Sequence, residues 1–257
     1  MTLPMEERAR DLRPVPPAGD PEGSTLSAQL VVFAREVGEL YAMERIRARE
    51  LETALGDLRE TYVATMKSLA QVVEAKDTTT RGHLDRTLSY GLALAERIDP
   101  ELAARPEVAY GFFLHDIGKV GIPERVLSKP GPLDEDEWQV MREHPAIGAQ
   151  IVEPIRFLSG AVEIVQAHHE RWDGAGYPLG LRGAHIPLAA RIFSVADSFD
   201  AMTSDRPYRA ALPLEMALDE IAAASRTQFD PDVVEAFLSL ADDGGLFGRL
   251  APASRAG

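Results

Sequence analysis

Residues 106–117 read PEVAYGFFLHDI, a run that is almost wholly apolar until it meets His115 and Asp116. A segment with so little polar surface has no wet face, so it reads as a helix buried inside a domain. Around it the pattern is helix after helix. Residues 84–98 are amphipathic and stop at Asp99 and Pro100. Asp134, with Glu137 three residues on, resembles a capping box opening a helix through Met141. Pro145 suits the first position of another helix, with His144 in the capping position before it. Residues 161–169, 188–202, 214–224 and 231–240 continue the series. Only residues 186–188 hint at extension, and no segment shows the strict alternation of a half-buried strand. The expected fold class is therefore all-α, over about residues 65–241.

On the N-terminal side, residues 1–24 hold Pro4, Pro14, Pro16, Pro17 and Pro21 with Gly19 and Gly23. That density interrupts any helix and reads as a disordered lead. From about Ser27 to Lys76 there is no proline, and apolar residues fall at Leu30, Phe33, Val37 and Leu40, then at Leu51, Leu55, Leu58, Tyr62, Leu69 and Val72. Both runs keep helical spacing, and the step from Leu40 to Leu51 is one a coiled coil accommodates as a stutter. A helical, coiled-coil segment over residues 25–64 follows, with a homodimer through the 27–76 helix as the expected partner; packing of that helix on its own domain is the alternative. Residues 242–257, with Gly244, Gly245 and an Ala/Ser/Pro/Arg tail, read as a flexible end.

Composition narrows the chemistry. The 257 residues include 41 acidic against 27 basic side chains, a formal charge of −14 that repels a DNA or RNA backbone and an anionic membrane surface. No cysteine is present, which removes disulfides, thiolate zinc sites, iron–sulfur clusters and cysteine nucleophiles. No window approaches the ~18 apolar residues of a membrane span, and the first residues show no signal-peptide core, so the expected location is the cytoplasm.

A metal site, if there is one, must use nitrogen and oxygen. Taken alone, the buried pair His115-Asp116 is satisfied either by hydrogen bonds or by a metal. His168-His169 is a second adjacent pair, whose side chains point about 100° apart on a helix and so suit two neighbouring ions better than one. Asp197 is a third oddity, a carboxylate in the mostly apolar run IFSVADSF (192–199). A shared cluster accounts for all of them in one step. Imidazole and carboxylate without thiolate suit Fe, Mn, Ni, Zn or Co and disfavour Ca or Mg alone. Nearby cations, Lys119, Arg206 and Arg209, suit phosphate, with surface ion pairing as the plain alternative. The glycine-rich stretch 173–183 is too long for a simple turn and is a functional-loop candidate.

Seven blocks in order, EAKDTTTRGH (74–83), LHDIGKVGIP (114–123), LSKPG (127–131), HPAIG (144–148), HHERWDGAGYP (168–178), IPLAARI (186–192) and VADSFDAMTSDRPYR (195–209), resemble the HD-GYP phosphohydrolases. The resemblance implies a helical HD-type bundle. It implies that His83, His115, Asp116, His144, His168, His169 and Asp197 bind two or three transition-metal ions, Asp116 bridging. It further implies hydrolysis of cyclic di-GMP to pGpG, sometimes on to GMP, by a metal-bound hydroxide, with Asp116 and Lys119 at the chemistry. Lys119, Arg206 and Arg209 match substrate-phosphate positions, and Gly176, Tyr177 and Pro178 belong to the loop beside the pocket. His185 matches no ligand. Members with three metals carry a glutamate where this sequence has Thr79, so two divalent ions, Fe or Mn before Ni, Co or Zn, are expected. A silent cyclic-dinucleotide sensor and a phosphodiesterase for another cyclic dinucleotide are the alternatives.

Overall fold

The computed structural model of the protein describes residues 21–74, 82–205 and 210–243. Its helices are α1 (Pro21–Glu74), α2 (His83–Ile98), α3 (Pro100–Ala103), α4 (Pro106–Leu114), α5 (Glu124–Leu127), α6 (Glu135–Met141), α7 (His144–Val152), α8 (Val162–Ala167), α9 (Leu188–Thr203), α10 (Leu214–Ala223) and α11 (Pro231–Asp242). Among the described residues there is no strand, only an isolated bridge between Ser225 and Phe229. The all-α class stands. The chain divides after Arg59 into two compact units.

In the first unit, α1 is a helix with an unburied apolar stripe. Leu30, Phe33, Leu40, Leu51, Leu55 and Leu58 are all exposed. The helix opens at Pro21, inside the stretch read as a lead, because a proline without an N–H is tolerated in a first helical turn.

The second unit starts at Glu60. There the last turns of α1 bury Met66 and Ala70 in a cluster with Leu84, Tyr110, Phe113, Leu114 and Val165. A larger cluster joins α2, α4, α9, α10 and α11 through Leu94, Phe112, Phe193, Phe199, Ile221 and Phe237. α4 lies between the two: neighbouring residues on a helix point about 100° apart, so Phe112 enters one cluster and Phe113 the other. Each buried aromatic contributes roughly 1.5–3 kcal/mol.

Two local departures from the sequence reading matter for the site. The helix of the 106–117 run ends at Leu114, and a 3-10 turn, Ile117–Gly121, follows. Asp116 falls between them with φ −95° and ψ 6°, in the sparsely used bridge region where many site residues sit. His144 does not cap α7: it is the first helical residue after Glu143, and its ring turns Nδ1 back to the Met141 carbonyl and Nε2 toward Asp116 and His168, away from the helix N–H groups. The Asp134–Glu137 capping box is present as expected.

Candidate metal centre

The fold gathers the expected ligands into two groups. Asp116, His144, His168 and His169 form one; His83, His115 and Asp197 form the other; within each, one donor atom per residue lies within 4.8 Å of the rest, so the pair His168-His169, expected to suit two ions, falls in a single group because α8 ends at Ala167. They come from widely separated elements: His83 opens α2, His115 and Asp116 follow α4, His144 opens α7, His168 and His169 follow α8, and Asp197 sits in the middle of α9. Close packing makes this possible. A Cβ on Gly118 would lie 1.9 Å from the His144 carbonyl oxygen, so only glycine lets the turn carrying Asp116 meet α7.

Asp116 faces both groups. Its Oδ1 is 3.2 Å from His144 Nε2 and 3.8 Å from His168 Nε2. Its Oδ2 is 3.1 Å from His115 Nε2 and 2.7 Å from Lys119 Nζ. In the second group, His83 Nε2 lies 3.4 Å from Asp197 Oδ1.

Proton bookkeeping shows that these atoms fit a cation. His115, His144 and His168 each direct Nδ1 at a main-chain carbonyl three residues back, Phe112, Met141 and Val165, all at 2.8 Å. A carbonyl only accepts, so the ring hydrogen is assigned to Nδ1, and a neutral imidazole has no second one. With both rings neutral, the form that binds a metal, Nε2 of His144 and of His168 meet 3.2 Å apart as two lone pairs. Burial, and then His169, holds His168 well below its ordinary range, so His168 does not take up a second proton there. Asp116 Oδ1 adds a third, buried and without a hydrogen-bond partner among the described residues. Donors about 2.1 Å from a transition-metal ion stand about 3 to 3.5 Å from one another, and His144 Nε2 lies 3.2 Å from both His168 Nε2 and Asp116 Oδ1, and His83 Nε2 3.4 Å from Asp197 Oδ1. The set of imidazoles and carboxylates is one such an ion takes.

The charges agree. Burial pushes the Asp116 carboxyl up, but Lys119 and then His115 outweigh it and hold the group well below the usual carboxylate range. Burial, and then His144, pushes His169 down to about 3, so it is neutral at ordinary pH, as a ligand must be. His115 goes the other way: burial lowers it, yet Asp116 raises it further.

The glycine-rich loop closes over the first group. Glu170, buried, accepts from the backbone N–H of Leu179 (2.7 Å) and Leu181 (2.9 Å), which staples the loop to the end of α8. A Cβ on Gly176 would lie 2.3 Å from the Arg171 nitrogen, so the chain folds back on itself only with glycine there. Tyr177 then stacks on His169 with ring centroids 4.8 Å apart, and Pro178 follows through a cis bond. Burial, and then Asp116, pushes the Tyr177 hydroxyl up to about 12.

The family model for the HD domain matches residues 67–233. The chain belongs to the HD domain family, in its HD-GYP branch. Curated relatives include a cyclic di-GMP phosphodiesterase of Vibrio cholerae, 38% identical over 84% of this chain and 47% of that protein. A second, from Thermotoga maritima, is 43% identical over 79% of this chain and 54% of that protein. A 3'3'-cGAMP-specific phosphodiesterase of Vibrio cholerae is 38% identical over 84% of this chain and 42% of that protein. The chain thus spans about half the length of the curated relatives it matches. In fold it is similar to a cyclic GMP-AMP specific phosphodiesterase of Vibrio cholerae, with TM-score 0.57 and 21% identity over 73% of this chain and 51% of that one. It is also similar to an HD-GYP protein of Bdellovibrio bacteriovorus, with TM-score 0.52 and 22% identity over 72% of this chain and 62% of that one.

In this HD-GYP domain, Arg206, Arg209 and Thr79 lie outside the described residues. His185 sits in a 3-10 turn, Gly183–His185, and belongs to neither ligand group. The sequence reading missed four residues that surround the ligands. Asp200 and Arg86 stand behind His83. Glu170 holds the loop. Glu74 places a buried Oε1, without a hydrogen-bond partner among the described residues, among the charges of His83, His115, Asp116 and Lys119, and burial raises its carboxyl. Asp200 and Glu170 each stand close in sequence to a ligand, but so do many polar residues with no such role. No helix among the described residues is long and apolar enough to cross a membrane.

Proposed function

We propose that the protein hydrolyses cyclic di-GMP to pGpG at a centre of two divalent transition-metal ions, Fe or Mn by preference. The observation that carries this reading is Asp116, which turns one carboxylate oxygen to each of two ligand groups. His83, His115 and Asp197 would hold one ion, His144, His168 and His169 the other, and Asp116 both. Such ions, when bound, supply a nucleophilic water at neutral pH and offset charge growing on the phosphoryl oxygens. The water oxygen forms a new bond to phosphorus, the bond from phosphorus to a ribose 3'-oxygen breaks, and that oxygen leaves with a proton.

The chain's own residues supply position and charge. Lys119, fixed on Asp116 at 2.7 Å, places a cation beside the reacting phosphate. Arg206 and Arg209 fit phosphate oxygens with guanidinium forks. Gly176, Tyr177 and Pro178 shape the wall on the His169 side, where an aromatic face suits a guanine. A net charge of −14 makes local cations and bound metal, rather than a basic surface, the source of affinity. A nucleotide substrate and the lack of cysteine fit a cytoplasmic setting.

The HD-GYP domain, residues 65–241, is joined to a helical segment, residues 25–64, that pairs with a second copy. The stripe Leu30, Phe33, Leu40, Leu51, Leu55 and Leu58 is exposed and keeps the spacing of a coiled-coil seam, which a second identical helix satisfies.

Metal analysis of anaerobically purified protein, paired with turnover of cyclic di-GMP, tests the reading. Two ions per chain and accumulation of pGpG are expected, from a particle of twice the chain mass. Tight binding of the dinucleotide with no product would make the domain a sensor. Three ions per chain would refute the two-metal centre, and faster turnover of cyclic GMP-AMP would move the substrate to the class named for one of the relatives.

A further inference from the structure

His83 is held differently from the other ligand imidazoles. Where His115, His144 and His168 point Nδ1 at main-chain carbonyls, His83 Nδ1 lies 2.7 Å from Oδ2 of Asp200, a carboxylate only 1% exposed. Asp200 is gripped in turn by Arg86, whose Nε is 2.5 Å from Oδ1 and whose Nη2 is 3.1 Å from Oδ2. The same Nη2 donates to Ser204 Oγ at 2.8 Å. The arrangement is regular: α2 carries His83 and, one turn on, Arg86; α9 carries Asp197 and, one turn on, Asp200. Helix α9 thus presents a ligand and the support of the ligand on α2, and α2 presents the cation that holds that support.

We propose that Asp200 is the positioning residue of the His83 subsite, fixing its ring so that Nε2 faces Asp197 and adding negative charge behind that one imidazole. A carboxylate only accepts, so Nδ1 keeps a ring hydrogen, and the neutral ring, the form that binds a metal, offers Nε2 as a lone pair 3.4 Å from an Asp197 oxygen. In that form two metal donors face each other, and Asp200 keeps them so. A carboxylate on the far nitrogen makes an imidazole a stronger donor, and losing such a support costs roughly 10- to 100-fold in metal affinity. Arg86 makes the buried carboxylate tolerable by supplying a matched cation, with Ser204 in the same network. The two ions would therefore depend on different scaffolds: that at His144 and His168 on main-chain carbonyls, that at His83 on a side-chain ion pair.

This inference rests on the two-metal reading, and one titration separates their failures. Metal-stripped protein, Asp200→Asn and Asp200→Ala are titrated with Mn2+ alone by calorimetry, and the Co2+-loaded forms are compared by visible absorption. The parent is expected to take two ions per chain. Asp200→Ala should lose about 10- to 100-fold in affinity at one of them and keep the other. Asp200→Asn, which keeps an acceptor for Nδ1 but not the charge, should fall between, with a shifted cobalt band. A parent that binds no Mn2+ sinks the two-metal reading itself. A parent that binds two, with either variant keeping both affinities or losing both equally, sinks the role of Asp200 alone. Should Asp200→Ala fail to fold, Asp200→Asn decides by the same criterion.

Discussion

The two ligand groups are built from the same residue types and differ in what stands behind them. In the first, His144 and His168 are fixed by carbonyls of their own chain, and His169 by the face of Tyr177. In the second, His115 keeps a main-chain hold, while His83 depends on Asp200 and Arg86. Main-chain support survives most substitutions of neighbouring side chains but fails if the backbone is moved. Side-chain support fails residue by residue. Asp116 alone faces both groups, so removing it should cost the most. Asp116→Ala is expected to lower kcat for cyclic di-GMP by about three orders of magnitude, the scale seen when a group that stabilises transition-state charge is lost. It should also lose bound metal, which elemental analysis would detect. Turnover at the parent rate would remove Asp116 from the chemistry.

The dependence of the first group on backbone contact is open to a direct break at Gly118. An added methyl would sit 1.9 Å from the His144 oxygen and 2.5 Å from the Gly148 nitrogen, both main-chain atoms that cannot swing aside. Gly118→Ala should destabilise by about 1–3 kcal/mol or more, the usual cost of overpacking. At roughly 2–4 °C per kcal/mol, the melting midpoint should fall by several degrees. On helix α1, where a Cβ on Gly56 meets nothing within 4 Å, Gly56→Ala should leave the midpoint unchanged or raise it. Equal midpoints for the two variants would show that the turn carrying Asp116 yields more easily than its packing implies.

Much of this was legible in the sequence, and the rest was hidden for identifiable reasons. The buried run 106–114 and the capping box at Asp134 are local patterns, and local patterns decide helices. The ligands stood out because imidazoles and carboxylates in apolar runs demand a common explanation. The break after Leu114 was not visible, since an apolar run does not show where the chain leaves the helix. The placement of His144 was hidden because a polar residue before a proline reads as a cap until its ring is seen turned inward. Asp200 and Arg86 were hidden because their contact joins residues 114 apart in the chain, and either looks like an ordinary surface charge.

His168 and His169 in the first group respond to acid with the opposite sign to His115 in the second. In metal-free protein, His168 and His169 are held below their ordinary values, so on acidification the unfolded chain takes up protons near pH 6.5 that the fold refuses, down to about 3 at His169. Their contribution to stability therefore falls as pH drops from 7 toward 5. His115 is raised, so it adds stability that is fully present below about 6.5 and is lost as pH rises through its folded value. The depressed carboxylates Asp116 and Asp200 enter only below about pH 4. With two groups against one, the melting midpoint of the metal-free protein should decline from pH 7 to 5. His169→Gln should make the decline shallower and His115→Gln steeper. A midpoint that stays flat over this range in all three proteins would contradict both assignments.

The smallest expected effect tests the one support in the first group that is neither main chain nor charge. The His169 ring makes no side-chain hydrogen bond among the described residues, and Tyr177 lies on it at 4.8 Å with the planes 30° apart. Such aromatic contacts contribute about 0.5–1.5 kcal/mol beyond burial. Tyr177→Ala should therefore weaken Mn2+ binding at one site by at most about tenfold, since 1.4 kcal/mol is tenfold. Tyr177→Phe keeps the ring and discards only a hydroxyl that burial has pushed up to about 12 and that stays protonated at any working pH, so metal binding should match the parent. The comparison sharpens when these variants are combined with Asp200→Asn. The two sites share only Asp116, so the losses should add within about 0.5 kcal/mol, as independent supports do. A larger coupling would mean that the two halves of the centre are held as one unit.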